Sequence, residues 1–218
     1  MRTNNSHDKK HCFFIAVEGP PGVGKTTLAK ILAKAVNGLL LLEEFDKNPF
    51  LPLFFENRSR YAFVNQIFFL MSRHEQFRNI EKAKGIVVSD YIFEKNMLFA
   101  LDNLTNDELI LYKKVDKLIS KNLPNKTPDL IVYLDADIDI LLQRIINRGR
   151  DFEKGAQREF IQRLQHTYQV FFSQYKNAPV LSVNNSKIDI VSDDKQRTEF
   201  IKTLLGRIQE LDGEYCFT

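Results

Sequence analysis

The chain has 218 residues, 44% of them hydrophobic, and a formal net charge of +3 with Lys and Arg interspersed among Asp and Glu. That is enough apolar material for one substantial core, the length favours one domain over two, and the even charge balance gives no reason to expect nucleic acid as a partner. No apolar run approaches the ~18 uncharged residues of a membrane helix and the polar start lacks a secretory apolar segment. Cys12 and Cys216 stand at opposite ends without metal-type spacing; a disulfide framework or zinc site is not expected, and a cytoplasmic protein that does not bind membranes is.

Residues 1–10 are charged and polar and are expected to form a loose tail ahead of a single domain over 11–218. An apolar run, Phe13-Phe14-Ile15-Ala16-Val17, predicts a buried strand over 12–18, and a helical period predicts a helix over about 25–36. Between them Gly19-Pro20-Pro21-Gly22-Val23-Gly24-Lys25-Thr26-Thr27 fits GxxxxGK[ST]. A strand feeding a glycine-rich turn that opens a helix aims successive backbone N–H groups at a polyphosphate, with the helix N-terminus adding positive potential. Gly19, Gly22 and Gly24 permit the torsions and the close approach, the Val23 and Thr27 positions complete the cradle, Lys25 reaches the β/γ oxygens, and the Thr26 hydroxyl suits a magnesium ion. The loop implies a nucleoside triphosphate donor and leaves the phosphoryl acceptor open.

Asn37-Gly38 is expected to stop the helix, with glycine taking the left-handed cap. Leu39-Leu40-Leu41-Leu42 then reads as a buried parallel strand ending in Glu43-Glu44. In open parallel sheets ligands bind beyond the carboxyl ends of the strands, so an acid there faces the chemistry. Asn48-Pro49-Phe50-Leu51-Pro52 reads as a turn, and Phe54 to Phe77 as one helix rich in aromatics, most of them core. Gln66 and Arg73, seven positions apart, fall on one face two turns apart; they are either surface residues or a pair of donors able to read one planar ligand.

Gly85 to Asp90 predicts another buried strand ending in an acid, where such a fold holds magnesium. Thr105-Asn106-Asp107-Glu108 matches a capping box ahead of a helix over 107–121, and Asp129 to Asp135 predicts the next strand. Gln143 to Arg150 puts Arg144 and Arg148 one turn apart, with Gly149 as a hinge and Arg150 beyond it. The run is either a solvated face or a lid clamping the triphosphate, and the phosphate loop favours the lid. A helix over 158–175, a strand over 180–183 and a helix over 198–211 complete the pattern.

Together GPPGVGKTT, Glu43-Glu44 before Asn48-Pro49-Phe50-Leu51, Tyr61 to Gln66 running on to Ser72-Arg73, Ser89-Asp90, Pro128 to Leu134 and Arg144 to Glu153 resemble the deoxynucleoside kinase family, especially its bacterial deoxyadenosine/deoxyguanosine kinase branch. The resemblance spans about residues 12 to 205. It implies an α/β P-loop kinase fold, with a parallel central sheet, helices on both faces and an arginine-rich lid, and it implies a homodimer. It also implies ATP- and magnesium-dependent phosphorylation of a deoxynucleoside 5′-hydroxyl in nucleotide salvage, with a purine as the base. Glu43 matches the family's general base; Lys25, Arg144 and Arg148 match the groups that offset phosphoryl charge, Arg148 and Arg150 lying on the donor. Gln66 and Arg73 match the base-binding pair, Glu153 the carboxylate for the sugar 3′-hydroxyl, and Asp90, with Thr26, the magnesium site.

Two positions depart from the pattern. Where the family commonly has Asp/Glu-Arg-Ser/Thr, this chain has Asp90-Tyr91-Ile92-Phe93-Glu94-Lys95, leaving Lys95 or Arg73 as the available cation. Phe55 replaces a tyrosine that contacts the 3′-hydroxyl, which removes a hydrogen bond worth about 1 kcal/mol. Two rival readings are a nucleoside monophosphate kinase resembling thymidylate kinases and a nucleotide-binding regulatory module without turnover. The acid at the end of the Leu39–Leu42 run favours a hydroxyl acceptor, which needs a base, over an anionic one.

Overall fold

The computed structural model describes residues 12–80, 83–121, 123, 127–150, 158–188, 190 and 193–211, so the expected tail at 1–10, Glu153 and Cys216 lie outside the described residues. Five strands, β1 (Phe13–Glu18), β2 (Leu39–Leu41), β3 (Ile86–Ser89), β4 (Leu130–Asp135) and β5 (Val180–Asn184), form one sheet in the order β2-β3-β1-β4-β5. Every pairing is parallel. The chain leaves β1 for the edge at β2, returns through β3, and then crosses β1 to reach β4. The direction of winding therefore reverses at β1, which sets the ligand crevice beyond its carboxyl end.

Alternation along β1 divides the core. Phe13, Ile15 and Val17 face a cluster with Leu28 and Leu32 of α1 (Lys25–Ala35), Leu141 and Ile145 of α6 (Ile138–Arg148), and Leu204 and Ile208 of α8 (Asp194–Leu211). Phe14 and Ala16 face the opposite cluster, with Leu70 and Phe77 of α3 (Arg58–Ile80), Leu98 of α4 (Lys95–Asn103), Tyr112 of α5 (Asn106–Ser120) and Tyr168 and Phe172 of α7 (Arg158–Gln174). A period of two in a strand places successive side chains on opposite faces, so helices cover the sheet on both sides.

Several local expectations are corrected. Leu39 is 55% exposed, because β2 is the edge strand with β3 as its one neighbour among the described residues; an apolar run need not be buried on both faces. The positive φ after α1 falls on Asn37 (49°), not Gly38, whose missing side chain matters for another reason: a Cβ there would lie 2.9 Å from the Ile86 carbonyl oxygen. The long aromatic helix is two helices. The supposed turn at 48–52 already opens α2 (Phe50–Glu56), with Pro52 in the first turn, where the missing N–H costs nothing. Asn57 then ends α2, and its Oδ1 accepts the Arg60 N–H at 3.1 Å, capping α3. Helix α4 was not predicted; its N-cap, Glu94, makes no side-chain capping bond. The capping box of α5 is formed as expected, Thr105 Oγ1 accepting from Glu108 N–H and Glu108 Oε2 from Thr105 N–H at 2.9 Å. Gly149 (φ 68°) ends α6 in the left-handed conformation.

Among the described residues no helix is long and apolar enough to cross a membrane.

Candidate active site

The phosphate loop turns tightly at the end of β1. Gly19 and Gly22 have φ of 150° and 82°, and Cβ atoms there would lie 2.2 Å from the Leu134 carbonyl oxygen and 2.6 Å from that of Leu141, so both positions exclude a side chain. Lys25 opens α1 and donates to the carbonyl oxygens of Gly19 at 2.7 Å and Pro20 at 3.0 Å. Burial, and then the nearby Lys95 ammonium, push Lys25 down to about 8. Thr26 Oγ1 donates to Asp90 Oδ2 at 2.6 Å, while Asp90 Oδ1 accepts the Glu43 backbone N–H at 2.8 Å. One carboxylate thus ties the donor loop to the end of β2. The hydroxyl and the carboxylate are both hard oxygen ligands, and their proximity fits a magnesium ion.

The ambiguity between Glu43 and Glu44 is resolved by their partners. Glu44 pairs with exposed Lys47 at 2.7 Å, whereas the Glu43 carboxylate faces the cleft. Glu43 Oε1 accepts from Arg73 Nε at 3.0 Å and from Nη2, and its Oε2 accepts from Lys95 Nζ at 2.9 Å. Burial alone would raise the Glu43 carboxyl; Lys95 and Arg73 overcome that and hold it well below the usual carboxylate range. Arg73 Nη1 donates to Asn96 Oδ1, and the guanidinium lies 4.9 Å from the Phe69 ring centroid. Tyr91 does not face the cleft. It is fully buried in the core and donates its hydroxyl to Gln76 Oε1.

Around these groups lies a cleft of about 700 Å³ with aromatic walls, among them Phe45, Phe54, Phe55, Phe69 and Phe99. Gln66 and Arg73 both line it and are 2% and 3% exposed, which removes the surface alternative. The Gln66 Oε1 atom is buried and meets no donor among the described residues. Arg144, Arg148 and Arg150 line the same cleft, so they are not merely a solvated face. Arg144 Nη2 donates to the Asn185 carbonyl at 3.2 Å, and its buried Nη1 meets no acceptor among the described residues. The Arg150 guanidinium stacks 3.6 Å from the Phe45 ring centroid.

Two contributors, Glu18 and Asn185, escape the sequence reading, and a third, Asn48, stands in it only as a turn and motif residue. Buried Glu18, at the end of β1, accepts from the Gly19 N–H at 2.9 Å and the Ile92 N–H at 3.1 Å, fixing the loop to the turn after β3. The signal that singled out Glu43 and Asp90, an acid ending an apolar strand, was present there too. Asn185, beyond β5, donates from Nδ2 to the Val23 carbonyl at 2.5 Å, and its own N–H bonds the Asp135 carbonyl. Asn48 donates to Asn65 Oδ1 at 2.8 Å, joining the start of α2 to the cleft face of α3. Lone asparagines carry no comparable sequence signal.

A phosphate loop at the winding reversal of an all-parallel sheet, with a hydroxyl–carboxylate pair beside it and arginines across it, defines a nucleotide-dependent phosphotransferase site. The family model described as deoxynucleoside kinase matches residues 15–208. Deoxyguanosine kinase of Bacillus subtilis is 34% identical over 203 residues, covering 88% of this chain and 97% of that protein. Deoxyguanosine kinase of Lactobacillus johnsonii is 29% identical over 208 residues, covering 90% and 93%. The structure of deoxyadenosine kinase from M. mycoides with bound dATP superposes with a TM-score of 0.75 at 21% identity, over 88% of this chain and 98% of that one, a likeness of fold. The chain belongs to the deoxynucleoside kinase family and is a deoxynucleoside kinase. Neither a monophosphate kinase nor a nucleotide-binding module without turnover is the family it joins.

Proposed function

We propose that the protein transfers the γ-phosphoryl group of ATP to the 5′-hydroxyl of a purine deoxynucleoside, in nucleotide salvage in the cytoplasm. The observation that carries this reading is the double use of Asp90, which holds Thr26 of the donor loop and Glu43 of the acceptor side through its two carboxylate oxygens. The purine preference draws on the two relatives named as deoxyguanosine kinases.

The loop N–H groups from Gly19 to Thr27 cradle the phosphates, and Lys25 exchanges its carbonyl partners for phosphate oxygens. Thr26 and Asp90 would hold magnesium, which when bound neutralises charge on the phosphates. The nucleoside stacks among the aromatic rings with its base edge on Gln66 and the remaining donors of Arg73, and with Phe55 beside the sugar. Glu153, outside the described residues, is assigned to the 3′-hydroxyl by the family resemblance. Glu43 accepts the proton of the 5′-hydroxyl as the oxygen bonds to phosphorus and the bond to the departing ADP oxygen breaks. Arg144, with a guanidinium nitrogen that meets no acceptor among the described residues, and Arg148 and Arg150 beside it offset charge on the transferred group and the donor.

Exposed Val64 and Met71 on α3 and exposed Leu111 and Leu118 on α5 give two adjacent helices an apolar outer face, consistent with a homodimer. The test of function is a coupled ADP-release assay with the four deoxynucleosides, their ribonucleoside counterparts and thymidylate. Turnover with deoxyguanosine or deoxyadenosine above the rest is expected. Turnover with thymidylate alone, or with none, overturns the reading.

A further inference from the structure

A lysine is a poor residue to bury at the start of a helix. Lys95 is 5% exposed and is the first residue of α4, where the helix dipole repels a cation. Its ammonium carries three N–H donors. Among the described residues it makes one hydrogen bond, to Glu43 Oε2, and otherwise lies 5.6 Å from the Phe99 ring centroid. A buried ammonium with donors left over is costly unless another acceptor arrives.

Lys95 lines the same cleft as Lys25, Thr26 and Asp90. Lys25 extends from the donor loop, where it bonds the Gly19 and Pro20 carbonyls, and Lys95 from the acceptor side, where it bonds Glu43. Two ammonium groups facing one space, one of them beside the carboxylate that abstracts the proton, describe a place for an anion that forms between donor and acceptor. We propose that Lys95 is a catalytic residue of the transfer step: it holds Glu43 through Oε2 and gives its remaining donors to an oxygen of the phosphoryl group in transit. This rests on the phosphotransferase reading above.

The chemistry balances without any proton leaving Lys95. The 5′-oxygen forms its bond to the γ-phosphorus, its proton passes to Glu43, and the electron pair of the broken bond leaves on the terminal oxygen of ADP. Lys95 donates hydrogen bonds throughout and remains an ammonium. Because Lys95 bonds the base carboxylate and not the donor loop, its contribution is to the transition state more than to bound ATP.

The test compares wild-type protein with K95M and K95R in steady-state phosphorylation of deoxyguanosine and deoxyadenosine. It also measures calorimetric binding of MgADP and aluminium fluoride-dependent formation of the ADP–deoxynucleoside complex. Lys95→Met is expected to lower kcat on the order of 10²–10³-fold, leave the MgADP Kd within about threefold, and weaken the aluminium fluoride complex by a factor similar to the loss in kcat. Lys95→Arg, which keeps the charge, is expected to recover at least roughly tenfold over Lys95→Met. A Lys95→Met kcat within about threefold of wild type overturns the proposal. So does a kcat loss matched by equal losses of MgADP affinity and melting temperature with no recovery in Lys95→Arg, because that describes a structural residue. Failure of the wild-type protein to phosphorylate either nucleoside overturns the parent reading instead.

Discussion

Arg73 grips Glu43 through two of its nitrogens, Nε at 3.0 Å and Nη2, both on Oε1, although the two residues are thirty positions apart. A planar fork can make that contact and a point charge cannot. Arg73→Lys is therefore expected to lower kcat roughly ten- to a hundredfold while leaving MgADP affinity unchanged, because charge-assisted hydrogen bonds contribute roughly 1.5–3 kcal/mol. Steady-state kinetics paired with calorimetry checks this; an unchanged kcat would detach Arg73 from the base.

Gln66 makes a different prediction, because its buried Oε1 meets no donor among the described residues. Replacing it with a near-isosteric apolar group removes an unsatisfied atom from the free protein but a recognition group from the complex. Gln66→Leu should leave the melting temperature equal or higher and raise the nucleoside KM about ten- to a hundredfold, with the ATP KM unaltered. A lower melting temperature with an unchanged nucleoside KM would make Gln66 a structural residue.

In the proposed function Asp90 and Thr26, whose side-chain oxygens lie 2.6 Å apart, would hold magnesium. Chelation should abolish turnover of the wild-type protein and excess magnesium restore it. Asp90→Asn should raise the magnesium concentration for half-maximal activity roughly tenfold or more, since the amide keeps an oxygen and loses the charge. The same magnesium dependence in Asp90→Asn would remove Asp90 from the metal.

The pair around Glu43 also sets a pH dependence of stability. Its carboxyl is held well below the ordinary value of 4.5 despite burial. A depressed carboxylate contributes its full stability above the unfolded value and loses it as pH falls through the folded one. Glu43→Gln leaves Arg73 and Lys95 buried without their anion, at a cost of roughly 3 kcal/mol. The gap in melting temperature between wild type and Glu43→Gln, measured without magnesium, should be constant from about pH 7 to 5.5 and narrow below about 4.5. A gap independent of pH through that acid range would contradict the ion-pair assignment.

What the sequence disclosed was local in origin. Strand β1, the phosphate loop and the capping box at Thr105 are each written in a few consecutive residues, and all three stand as expected. The misread features depend on what lies elsewhere in the chain. Leu39 is exposed because among the described residues no strand pairs with the outer edge of β2, and α2 is separate from α3 because Asn57 caps one while ending the other. The site divides the same way. Glu43, Asp90, Gln66 and Arg73 carried signals of strand end or helix spacing. The grip of Lys95 on Glu43 spans 52 positions, and that of Asn185 on Val23 spans 162. No period or motif marks contacts of that range: the missing strand-end arginine leaves Lys95 or Arg73 as the available cation and the fold puts both on Glu43, whereas nothing in the sequence points to Asn185.

The most direct measurement of the central claim is single-turnover phosphoryl transfer by Glu43→Gln, with the product identified as the 5′-monophosphate of deoxyguanosine or deoxyadenosine. The amide accepts no proton, so the transfer rate should fall on the order of 10²–10⁴-fold, with MgADP binding within about threefold of wild type. A transfer rate within about threefold of wild type would show that Glu43 is not the base and that the acceptor side has been assigned wrongly.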